Sequence, residues 1–328
     1  MSTSKIRDAA LPLLLAAVVL AVPLVLKTPY WLNVLILVLV WTTLGTAWNI
    51  VGGYAGQLSL GHSAFFGLGA YTLALTAGKL GWNPWAGIAL GMVLSVPLAL
   101  FIGSITFRLH GPYFVLASLA IAEVLRLVTL AWRSVTNGAV GLMVPFLFEG
   151  ISRAPYYWFI AVVAIVAVGL TWWIERHKLG YYLTAIREDQ ETAESIGINT
   201  TGYKNLALVL SAVIAAVTGS FYASYLSYIE PDIVLSEPLS LQMAIVAIIG
   251  GRGTVFGPAV GATLLVLASE LFRAQFKQAH LLIYGLLLMA AILFLPGGVL
   301  GTLQQRIKAR RAAKAAAIGA TFARKEAS

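Results

Sequence analysis

Apolar runs of about 17–25 residues, the length at which a helix crosses a bilayer, alternate with short polar interruptions along almost the whole chain. The first covers about residues 9–26 and follows Lys5 and Arg7. It is longer than the ~7–15-residue apolar core of a signal peptide, and it reads as a retained helix with its N-terminus in the cytoplasm. A turn at Lys27 to Trp31 returns the chain through a second run over about 30–51. Further crossings are expected at about 84–107, 112–133, 158–174 and 204–228, then in a shorter span ending at Gly250, and at about 258–272 and 280–296. With the glycine-rich stretch after residue 51 counted as a crossing, the pattern predicts an all-α integral membrane protein of about ten transmembrane helices.

The interruptions give the pattern a direction. Lys79 to Pro84, residues 136–156, the acidic Glu230 to Glu237 and the turn holding Arg273 and Lys277 are expected on the outer side. Those last two cations run against the positive-inside tendency. Arg108 to Pro112, residues 175–203 and the glycine turn Gly250 to Pro258 are expected on the inner side, with Pro112 at the first position of a new helix. His110 reads either as a proton switch or as an interfacial histidine. Residues 1–8 then form a cytoplasmic N-terminus, 9–301 the membrane domain and 302–328 a basic cytoplasmic tail. From Arg306 to Ser328 that tail carries seven Lys or Arg, suited to anionic lipid.

Composition narrows the class. Of 328 residues, 59% are hydrophobic and 11% charged, against roughly a quarter charged in a soluble domain. The absence of cysteine excludes disulfides and thiolate metal sites. The formal charge of +9 sits at segment ends and in the tail, which fits membrane orientation better than a nucleic-acid partner. No cluster of metal ligands and no cofactor motif occurs. Gly250 to Pro258 lacks the Lys-Ser/Thr pair of a Walker A loop.

One stretch breaks the apolar pattern with dense charge: Thr184 to Ile198, holding Arg187, Glu188, Asp189, Glu191 and Glu194. Asp189 suits an N-cap, Glu191 adds negative charge at the positive helix start, and Gly197 stands where a left-handed C-cap residue belongs. Ala193, Ile196 and Gly197 are expected to share a small, smooth side, opposite Glu191 and Glu194. Local chemistry leaves two readings open, a solvated loop and a stubby helix that seats in a groove on another protein.

Candidate chemistry inside the membrane is sparse. Glycine is too frequent from Gly52 to Ala70 for an unbroken helix, and broken backbone is tolerated in lipid only where protein buries it or it lines an aqueous cavity. Gln57, Ser59, His62 and Ser63 are its polar groups, and a translocation path and close helix packing both fit it. Gly87 with Gly91, and Gly257 with Gly261, have packing spacing. Glu123 and Arg126 lie one turn apart and can pair within the span as a structural lock. Trp172 and Trp173 mark the inner interface. Ser59 and His62 also raise an intramembrane hydrolase, for which nearness in sequence supplies neither a dyad nor an oxyanion site.

The run AIREDQETAESIGIN, followed by TTGYKNLALVLSA, resembles the cytoplasmic coupling loop of LivM-type permeases, the membrane subunits of ABC importers for branched-chain amino acids. GQLSLGH, and RLHGPYFVLASLAIAEVLRLV followed by TNGAVGL, resemble the same family, although members often carry glycine where Asn137 stands. The resemblance covers about residues 30–301. It implies an ABC importer permease fold in the bacterial inner membrane, a coupling loop at 175–203 gripped by ATPases, and a path near Gln57, Ser59, His62, Ser63 and Asn137. It also implies partners: two cytoplasmic ATPase subunits, a second, homologous permease and a periplasmic binding protein. Urea, short amides and other neutral amino acids are alternative substrates within that resemblance. A channel or secondary transporter is the rival of another class, with Glu123 its one strong midplane carboxylate.

Overall fold

The computed structural model describes residues 3–303 apart from 27, 110, 149, 151 and most of 276–296. The expected span at 280–296, His110, Lys277 and nearly all of the basic tail therefore lie outside the described residues. The chain folds as α1 (Thr3–Val25), α2 (Pro29–Trp48), α3 (His62–Leu73), α4 (Pro84–Thr106), α5 (Pro112–Ala131), α6 (Arg133–Thr136) and α7 (Ala154–Arg176). Then follow α8 (Lys178–Glu188), α9 (Gln190–Ser195), α10 (Thr200–Leu226), α11 (Pro231–Val234), α12 (Glu237–Gly251) and α13 (Gly257–Gln275). Prolines at the first turns of α2, α4 and α5 sit where a missing N–H costs nothing, and Asn83 caps α4 by accepting the Trp85 N–H at 2.9 Å.

Among the described residues, six helical stretches are long and apolar enough to cross a membrane: Pro29–Tyr54, Pro84–Thr106, Pro112–Ala131, Ala154–Arg176, Thr200–Leu226 and Pro231–Gly251. The expected count of about ten is therefore met only in part. α1, α3 and α13 are not among the six.

α10 is the hub. It packs on α3 and α4 along most of its length, while α2 gathers α12, α13 and α7 around it. Small residues set the closest approach: a Cβ on Gly69 would strike the Ala216 carbonyl, and one on Gly219 would strike the Phe66 carbonyl. The α3 and α10 backbones thus touch twice. The paired glycines of α12 and α13 behave alike, Gly261 lying against the Val246 carbonyl.

One chain link between the α2 group and the α3–α4–α10 group is the glycine-rich stretch. α2 widens into a π-helical turn over Asn49–Tyr54, residues 55–61 are non-helical, and helix resumes at His62. The predicted break is therefore present. At the far end of the bundle from α8 and α9, β1 (Leu142–Met143) pairs antiparallel with β2 (Tyr228–Ile229), Leu142 opposite Ile229.

Candidate functional site

The charged stretch folds as two helices, not as the single stubby helix expected. Asp189 is extended (φ −159°, ψ 112°), ending α8 and starting α9, and its carboxylate accepts the Thr192 N–H at 2.9 Å as the N-cap expectation required. Glu191 sits in the first turn. At the other end Gly197 is left-handed (φ 88°), its N–H reaching the Glu194 carbonyl at 2.9 Å while the Ile198 N–H reaches Ala193 at 3.1 Å. Those two bonds make a Schellman closure, which satisfies carbonyls a six-residue helix would otherwise leave bare.

One expectation fails here. Ala193 is buried, whereas Ile196 is 71% exposed, so the two do not share a face. Ile196 is the C-cap, past the last helical residue, where the spacing of 100° per residue no longer holds. The outward surface is instead an apolar Ile196 tip with exposed Glu188, Asp189, Glu191 and Glu194 around it, and no Lys or Arg occurs from 188 to 203. Glu194 accepts from the Gln190 amide at 3.0 Å and from the Thr200 hydroxyl, tying α9 to the start of α10.

Inward, the same segment is anchored by two cations. The Arg187 guanidinium donates through Nη1 to the Gly53 carbonyl at 3.2 Å, and through Nη2 and Nε to Glu188 at 2.8 and 3.2 Å. Beside it, the fully buried Asn49 carboxamide accepts the Gly253 N–H at 2.8 Å and donates to the Thr254 carbonyl at 3.0 Å, clamping the Gly250 to Thr254 turn onto α2. Lys204, also fully buried, donates to Gln190 of α9 at 3.1 Å and to the Phe107 carbonyl at the end of α4 at 3.4 Å, with the Phe107 ring 5.1 Å away. Asn49 and Lys204 were not singled out as functional from sequence. A polar residue three positions before the first glycine break, and a lone cation inside an apolar helix, were the signals available.

The candidate path residues divide. Gln57 is half-buried, while Ser59, His62 and Ser63 are buried. His62 Nδ1 lies 3.0 Å from Ser59 Oγ and Nε2 lies 2.8 Å from Ser211 Oγ of α10. Ser211 donates its hydrogen to the Ala47 carbonyl at 2.6 Å, so Nε2 carries the proton and Nδ1 accepts from Ser59. This chain of bonds joins α3, α10 and α2, with both ring nitrogens partnered. A hydrolase would need a serine open to substrate; Ser59 is 3% exposed, its Oγ also takes the Gly61 N–H, and no carboxylate orients His62. The Ser63 hydroxyl is buried with no hydrogen-bond partner among the described residues.

Asn137 lies away from this cluster. It is exposed in the loop at the opposite end, left-handed (φ 59°), with its amide donating to the Gly141 carbonyl at 3.2 Å. Asparagine tolerates that conformation better than most residues, so it does the work of a glycine in the turn. Glu123 and Arg126 are paired at 2.6 Å as expected, and Arg126 also binds Asp232 of α11 at 2.6 Å. The triad fastens α5 to α11.

A bundle of long apolar helices, broken by a buried glycine stretch and carrying a capped acidic helix, is the architecture of a multi-pass membrane protein. Residues 30–295 match the family described as the branched-chain amino acid transport system permease component, and the chain belongs to that family. Among its relatives is the high-affinity branched-chain amino acid transport system permease protein LivM of Salmonella typhimurium. That protein is 28% identical over 298 residues, 82% of this chain and 70% of its own length. LivM of Escherichia coli is 27% identical over 305 residues, 84% of this chain and 71% of its own. LivH of Escherichia coli is 24% identical over 277 residues, 77% of this chain and 89% of its own.

Proposed function

We propose that this chain is one permease subunit of an ATP-driven importer for branched-chain amino acids, in a bacterial inner membrane, crossed about ten times with both termini in the cytoplasm. It works beside a second, homologous permease, two cytoplasmic ATPases and a periplasmic binding protein. The single observation that carries the reading is α9: a six-residue helix, capped at both ends, projecting an apolar tip among acids while its inner side is anchored to the bundle. Isolated helices of that length are marginal in water, so such complete capping supports a helix kept in shape for a partner. An acidic surface around an apolar tip fits a basic groove on the ATPase.

In this mechanism, nucleotide-driven closure of the ATPases moves α8 and α9, and the α2 group shifts against α3, α4 and α10 about residues 55–61. The path opens where Ser211 holds α10 to the Ala47 carbonyl of α2, beside Ser59 and His62. Neutral polar groups there hold solute weakly, so selection lies mainly with the binding protein. The chain is a transport subunit, and its partners hydrolyse the nucleotide.

The test is reconstitution in proteoliposomes with the cognate ATPases, second permease and binding protein. Leucine uptake that requires nucleotide and every subunit is the expected result. Uptake by this chain without nucleotide makes it a channel or secondary carrier and sinks the proposal; uptake of urea or a short amide in preference to leucine corrects the substrate alone.

A further inference from the structure

We infer that Arg187 is a positioning residue that caps the broken end of α2 from α8, and so carries movement of the coupling segment to the glycine break. The inference rests on the importer reading above. Its starting point is a helix end with bare carbonyls. Where α2 runs out through the turn at Asn49–Tyr54, residues 55–61 are not helical, so the Gly53 carbonyl has no further helical N–H to accept. The guanidinium of Arg187 takes that place, a cation at the negative end of a helix, donated by an element 134 residues further along the chain.

The surroundings are shaped for it. A Cβ on Gly56 would stand 2.7 Å from Arg187 Cγ, and one on Gly253 would stand 2.8 Å from Nη1. Both glycines are left-handed, at φ 73° and 72°. The arginine therefore lies in a cradle whose two walls, the break after α2 and the turn before α13, could not approach it if they carried side chains. Asn49 locks those walls to each other through its bonds to Gly253 and Thr254.

The other edge of the guanidinium faces outward. Nη2 and Nε meet Glu188, whose side chain is 71% exposed on the acidic surface. One planar group thus joins the docking surface to the end of α2, and a fork of five fixed donors does this where a lysine would bind only as a point charge. A basic partner face that draws on Glu188, or a tilt of α8, changes the hold on Gly53 directly.

The experiment uses the complete reconstituted importer with Arg187→Ala and Arg187→Lys. Three quantities are read: ATPase assembly, solute moved per nucleotide hydrolysed, and backbone hydrogen exchange at residues 53–60 and 190–198 with and without trapped nucleotide. With Arg187→Ala, assembly and the nucleotide response of 190–198 persist. The response of 53–60 disappears, and solute moved per nucleotide falls about tenfold, within the usual range of coupling between distant sites. Arg187→Lys, which keeps the charge but loses the planar fork, recovers part of both and is read alone if the alanine variant does not accumulate.

Loss of the 190–198 response as well would make Arg187 a docking contact, and a retained 53–60 response or unchanged uptake per nucleotide would make it a surface residue; each overturns the inference. A wild-type complex that moves solute without nucleotide fails the importer reading instead, before any variant is compared.

Discussion

The N-cap of α9 gives the sharpest quantitative test of how that short helix is held. Asp189 accepts the Thr192 N–H at 2.9 Å, and α9 has six residues with one buried side chain, Ala193, to hold it down. Removing an N-cap acceptor costs typically about 1 kcal/mol. At 25 °C that raises the local opening equilibrium of α9 about fivefold, because each 1.4 kcal/mol is worth about tenfold. Asp189→Ala should therefore speed hydrogen exchange about fivefold at the amides of Thr192, Ala193, Gly197 and Ile198. Those four donate the cap and closing bonds. Amides in the middle of α10 should not change, since fraying of so short an element stays local. Asp189→Asn keeps the acceptor and removes the charge, so its exchange should stay within about twofold of wild type. Mass-spectrometric exchange on the protein in lipid nanodiscs reads all three. Unchanged exchange in the alanine variant, or an asparagine variant as fast as alanine, would refute the cap; an asparagine variant with normal exchange and weakened ATPase binding would show that the partner reads the charge.

Other outcomes follow from the same geometry. Gly197→Ala meets open space but must hold φ at 88°, so it should cost about 1–2 kcal/mol of α9 stability, seen as faster exchange at residues 190–198 with no fall in membrane insertion. Asn49→Ala strands the Gly253 N–H and the Thr254 carbonyl, at about 1–3 kcal/mol each, and should lower thermal stability of the purified protein well below that of a Gln57→Ala control. Because the chain has no cysteine, single replacements report without background: Cys at 57 should react with a small polar thiol reagent at rest, and Cys at 62 only during turnover. Reaction at 62 in the resting protein would mean that the path stands open.

Much of the scaffold was legible because a bilayer imposes one simple rule: residues 84–106, 112–131, 154–176 and 200–226 are helical within a few positions of their apolar limits. The cap at Asp189 and the left-handed Gly197 were legible for a local reason, since both depend on neighbours within three residues. What could not be read were contacts across the bundle. The Arg187 bond to Gly53 and the Asn49 clamp on Gly253 span more than 130 residues, and no period in the sequence encodes them. The face of α9 was misread because periodicity was carried past the C-cap to Ile196, where the chain has already left the helix. Ser211 stayed hidden for the opposite reason: one serine in an apolar helix looks like ordinary back-bonding until His62 is found beside it.

The interlock of Gly69 with Ala216 and of Gly219 with Phe66 sets a limit on any transport cycle. Two rods whose main chains touch at two heights cannot slide or roll past each other without prising the pair apart. α3 and α10 must travel as a single plate, so a passage has to form along that plate's edge and not between its two members.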